Sequence, residues 1–140
     1  MYLPEFDEFC TLAQRGNLVP VYREVLADLE TPVSAFLKLG SGKPMSFLLE
    51  SVEGGDTRGR YSIIGLDPDL VWRANGGKAE VNRSARTKPD AFVPCTEPPL
   101  GALRALIAES RIELPDTLPP MAAGVFGYLG YDMVRLIEDL

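Results

Sequence analysis

Residues 47–65, FLLESVEGGDTRGRYSIIG, place two short apolar runs on either side of a glycine-broken, charged centre. That punctuation is the tightest constraint in the chain. It predicts two strands, at about residues 46–52 and 59–66, joined by a polar turn. Strand alternation puts Phe47, Leu49 and Ser51 on one side and Leu48, Glu50 and Val52 on the other. On the return run Arg60, Ser62 and Ile64 share a face, with Tyr61 and Ile63 opposite. Two glycines and Asp56 account for the turn. Glu50 is harder to place, because a carboxylate after Phe-Leu-Leu is costly in a buried strand unless water, an arginine or a ligand cation meets it. Arg58 and Arg60 are the nearest counter-charges across the hairpin, so an internal ion pair and a ligand site both remain open. A phosphate loop is a poor reading: GGDTRG fits neither glycine-rich fingerprint, and Asp56 would repel an anion. The remaining groups suit a zwitterion with an apolar tail. Glu50 can accept from an ammonium, Ser51 and Arg60 can serve a carboxylate, and Leu and Tyr side chains can enclose the rest.

Around this hairpin the chain alternates helix and strand signals. Residues 5–15 put Phe6, Phe9, Cys10 and Ala13 on one helical face, with Gly16 as the stop. NLVPVYREVLAD, with Val19, Val21, Val25 and Ala27, predicts a half-exposed strand. Thr31 as N-cap, Pro32 at the first helical position and Gly40 at the end bracket a short helix. Asn75-Gly76-Gly77 supplies the positive-φ positions of a tight hairpin turn, on which the single tryptophan, Trp72, is a packing residue. Residues 84–99 read as a proline-rich connection. A helix follows with Leu100, Leu103, Leu106 and Ile107 on one face. The last segment, MAAGVFGYLGYDMVRLIEDL, predicts a small-residue strand leading into a helix still amphipathic, and uncapped, at Leu140. Consecutive strands close enough to pair antiparallel predict an α+β fold.

Composition narrows the functions open to such a fold. The chain is 46% hydrophobic and 24% charged, and no apolar run is long enough to cross a bilayer. An acidic N-terminus without a basic leader argues against secretion and for the cytoplasm. Cys10 and Cys95, far apart and without metal-ligand spacing, read as two reduced thiols. A net charge of −6 argues against nucleic acid, with NRSARTK taken as a solvated basic loop. The absence of histidine removes the commonest general base and the usual zinc ligand.

LLESVEGGDTRGRYSIIG, followed some sixty residues later by GVFGYLGYDMVRLIE, resembles the N-terminal region of the anthranilate synthase component I family, from about Pro20 to Leu140. Residues 1–19 then form an N-terminal helix and lead-in. The resemblance implies part of a larger chorismate-utilising fold, with two facing sheets and helices outside. It implies an enzyme converting chorismate and ammonia to anthranilate, with a glutaminase partner, component II. The Mg²⁺ and chorismate sites would lie in a C-terminal catalytic half, leaving this stretch without a catalytic or metal residue of its own.

The same resemblance implies that this region carries feedback inhibition by L-tryptophan. Its serine falls on Ser51, with Leu49 and Glu50 beside it, and its basic pocket residue on Arg60. In GYLGYD the three glycines suit close strand-to-helix packing, while Tyr128, Tyr131 or Asp132 could instead line the region near the inhibitor. Aminodeoxychorismate synthase component I is a related alternative, and a free-standing amino-acid-binding domain is a third. Apolar faces left open by a missing half predict self-association.

Overall fold

The computed structural model describes residues 1–50, 61–119 and 121–138. Helix α1 (Phe6–Arg15) and α2 (Pro32–Leu39) precede strands β1 (Phe47–Glu50) and β2 (Ser62–Gly65). Strands β3 (Val71–Asn75), β4 (Lys78–Asn82) and β5 (Val93–Pro94) follow, then α3 (Pro99–Glu109) and a 3₁₀ helix, Tyr131–Leu136. One sheet is the antiparallel pair β1–β2 and the other has the order β3-β4-β5, so the fold is α+β with small sheets, as expected.

The chain divides into two units. The first comprises Met1–Val25, Ala74–Ala79 and Pro94–Leu140. In it α3 buries Pro99, Ala102 and Leu106, an i, i+3, i+7 stripe, rather than a stripe that includes Ile107, which is exposed. Full burial of one leucine such as Leu106 is worth roughly 1.5–3 kcal/mol. On α1 the half-buried positions are Phe9 and Leu12, whereas Phe6, Cys10 and Ala13 are exposed. The end of α1 is pressed against the backbone at Arg111: a Cβ on Gly16 would lie 2.3 Å from the Arg111 carbonyl oxygen. Asn17 secures the approach. Its amide donates to the Glu109 carbonyl at 2.7 Å and its side-chain oxygen accepts from Arg111 N–H at 2.7 Å.

The strand expected near Val19–Ala27 does not form. Tyr22 exchanges both backbone hydrogen bonds with Leu3, each 2.7 Å, and the segment's pairing is limited to that bridge and an isolated parallel one between Leu18 and Ile112. Pro20 lacks the N–H that a continuing ladder needs. Residues 121–130 are also irregular rather than a strand, and the helix after them is one short 3₁₀ segment.

The second unit comprises Leu26–Arg73 and Glu80–Val93. The α2 boundaries follow the sequence signals. Thr31 Oγ1 accepts from Ser34 N–H at 3.1 Å, Ser34 Oγ accepts from Thr31 N–H at 2.9 Å, and Pro32 opens the first turn. Helix α2 packs on both β1 and β2. The β3–β4 turn, which belongs to the first unit, is also as expected, with Gly76 at φ 54° and Gly77 at φ 79°. At the base of that hairpin Arg73 pairs with Glu80 at 2.8 Å and stacks its guanidinium 3.6 Å from the Phe92 ring centroid.

Candidate functional site

The β1–β2 pair carries the candidate site, and its register fixes which side chains can act together. Phe47 faces Gly65, Leu48 faces Ile64, Leu49 faces Ile63, and Glu50 faces Ser62. Directly opposed residues share a face. Leu48 and Glu50 therefore lie with Ser62 and Ile64, while Phe47 and Leu49 lie with Ile63 and Gly65. This is the alternation expected from the sequence, now with its partners assigned.

Glu50 is exposed rather than buried, which changes the argument made for it. Its carboxylate keeps its hydration, so the strand tolerates the charge without a compulsory counter-ion. An exposed carboxylate beside the Ser62 position is available to a cation arriving from solvent. Leu49 is 45% exposed, leaving apolar surface one residue away but on the other face. Ser51 and Arg60, together with Arg58, lie outside the described residues.

The three further candidates belong to the first unit, while Leu49 and Glu50 belong to the second. Tyr128 and Tyr131 are 92% and 90% exposed, so neither ring is enclosed. Asp132 lies in the first turn of the 3₁₀ helix and makes an i,i+3 ion pair with Arg135 at 3.8 Å. Among the described residues no group of three or more Cys, Asp or Glu side chains is placed to hold a metal ion. No described helix is long and apolar enough to cross a membrane. Cys10 and Cys95 are free thiols.

Two features of the hairpin were not found from its sequence. One is the pairing of Glu50 with Ser62, which alternation alone left open by a residue or more. The other is the Phe47 ring lying across Gly65, where a Cβ would come within 2.1 Å of ring atom Cε1. A glycine inside a strand run was the available signal for such a close approach.

No protein-family model matches the chain. Among curated proteins, it is 52% identical over 138 residues to anthranilate synthase component 1 of Cereibacter sphaeroides, covering 99% of this chain and 28% of that protein. The protein of the same name from Synechocystis is 46% identical over 140 residues, covering 99% of this chain and 26% of the relative. That from Mycolicibacterium smegmatis is 40% identical over 135 residues, covering 96% and 25%. The chain thus spans about a quarter of the length of the curated relatives it matches. Identity of this order along nearly every residue places its sequence in the anthranilate synthase component 1 family.

Proposed function

We propose that this chain is the N-terminal regulatory region of an anthranilate synthase component 1, binding L-tryptophan as a feedback inhibitor. The whole protein would convert chorismate and ammonia to anthranilate in tryptophan biosynthesis, with ammonia from a glutaminase component II. Its chorismate and Mg²⁺ chemistry would lie in the remaining part of the relatives' length, of which this chain covers about a quarter. The observation that carries the reading is the match along nearly the whole chain to proteins of that name, which includes the LLES hairpin. The exposed Glu50 carboxylate supports it by offering an acceptor for an α-ammonium group, with Ser51 next in sequence for the carboxylate end. The names of the relatives favour anthranilate over the aminodeoxychorismate alternative.

Inhibition requires that tryptophan bind the less active conformation better than the active one. A coupling of about 1–3 kcal/mol weakens chorismate affinity roughly 5–150-fold, and chorismate must weaken tryptophan binding by the same factor. Calorimetric titration of L-tryptophan into the chain and into the full-length protein tests the binding. In the full-length protein, Glu50→Gln and Ser51→Ala are expected to relieve inhibition while turnover persists. Loss of turnover and inhibition together would remove the regulatory role from this hairpin.

A further inference from the structure

Gly65, at the far end of the hairpin from Glu50, and Gly40, at the end of α2, each lie against neighbouring side chains rather than in a turn. A Cβ on Gly65 would lie 2.1 Å, 2.2 Å and 2.8 Å from Phe47 atoms Cε1, Cζ and Cδ1. Phe47 is also the cross-strand partner of Gly65, so its ring rests on the strand backbone itself. One residue on, Leu66 meets the end of α2. A Cβ on Gly40 would lie 2.9 Å from Phe36 Cε2 and 3.0 Å from Leu66 Cδ2. Gly40 has φ −116° and Gly65 is not among the positive-φ residues, so each position requires room rather than left-handed backbone. The hairpin is therefore gripped at Gly65–Leu66: Phe47 lies over one residue, and Phe36 and Gly40 lie against the next. All of these residues, and Leu49 and Glu50, belong to one unit.

Glu50 stands three residue pairs beyond this grip, about 10 Å along the strands. A paired ribbon transmits a rotation at its anchored end to its other end. Phe47 must leave its seat if a methyl group is added at Gly65, because no carbon tolerates a neighbour at that separation. The geometry points to Gly65 and Gly40 as positioning residues that set where Leu49 and Glu50 are presented to an amino-acid ligand. The ligand's identity rests on the tryptophan reading above, whereas the positioning rests on the packing alone.

Amide NMR spectra of the ¹⁵N-labelled chain test the positioning, and titration of L-tryptophan into the same samples tests the ligand. Gly40→Ala, whose new methyl meets only the far ends of Phe36 and Leu66, is expected to move the Leu49 and Glu50 signals modestly. Gly65→Ala moves them further and weakens tryptophan binding about tenfold, the loss of roughly one charge-assisted hydrogen bond. Removing the ring in Phe47→Ala/Gly65→Ala brings these signals back to those of Phe47→Ala alone. Should Gly65→Ala not fold, Gly40→Ala decides the question by the same signals. If the glycine variants melt earlier but leave the Leu49 and Glu50 amides at their wild-type positions, the contacts are merely structural and the proposal is overturned. If the amides move while the wild-type chain binds no tryptophan, the positioning stands and the ligand assignment falls.

Discussion

At Asn82 one side chain does the work of a short stretch of backbone pairing. It is fully buried, donates to the carbonyls of Lys88 at 2.7 Å and Pro89 at 3.0 Å, and accepts from Ser84 N–H at 2.9 Å. Those bonds close the NRSARTK loop, which the sequence presents as solvated and basic. The basic residues gave the compositional signal, while the residue that organises them is the uncharged one before them. Asn82→Ala would strand two carbonyls and an N–H around a cavity, so we expect a loss of about 2–4 kcal/mol in urea unfolding. Asn82→Asp keeps the acceptor for Ser84 but aims a carboxylate at two carbonyls and is expected to cost at least as much. Unfolding midpoints of both variants within error of the wild type would show that the loop closes without this side chain.

Among the elements, α2 is the one whose ends obey local chemistry most fully, and its cap is open to test. Thr31→Ala removes the acceptor for Ser34 N–H and is expected to cost about 1 kcal/mol. Glu30 adds a pH-dependent part. Its carboxyl is held below the ordinary value first by its hydrogen bond from Lys38, then by that from Ser34. A carboxyl lowered in the folded chain stabilises it above the ordinary carboxylate range, and that contribution disappears as pH falls through the lowered value. The melting midpoints of wild type and Glu30→Gln should therefore differ at neutral pH, converge in acid, and draw together in high salt, because the pair is solvent-exposed. A gap that persists in acid would assign the effect to something other than the charge. Elements with such local signals were legible in the sequence: the α2 cap, the Asn75-Gly76-Gly77 turn and the two short strands of the hairpin. The failures share a cause. The strand at Val19–Ala27 and the face of α1 depended on partners far along the chain, Leu3 and Arg111, which no local pattern announces. The hairpin's alternation was likewise legible, but its register, and with it the Glu50–Ser62 pair, was not, because alternation is preserved when a strand slips by two residues.

At the scale of the molecule, little apolar surface is buried among the described residues. Among the described residues few apolar side chains are buried, Ala79, Pro99, Ala102 and Leu106, while Leu26, Leu29 and Phe6 are largely in water. Residues with helical or strand-like hydrophobic periodicity thus lack a surface to pack against within the described chain, which is why pattern alone overstated the extent of α1's face and of the second strand. Surface of this kind is unfavourable in water by roughly 25 cal/mol per Å² of apolar area, so covering even 400 Å² of it would gain about 10 kcal/mol before the entropy of association. In solution the chain by itself is expected to cover that surface with further copies. Sedimentation velocity over a hundredfold concentration range should show a weight-average coefficient that rises with concentration, and Leu29→Lys, which places a charge on one of the most exposed apolar positions, should lower it. A single species at the monomer mass across that range would show instead that the open faces tolerate water, and would leave the remaining length found in the relatives with no energetic need to cover them.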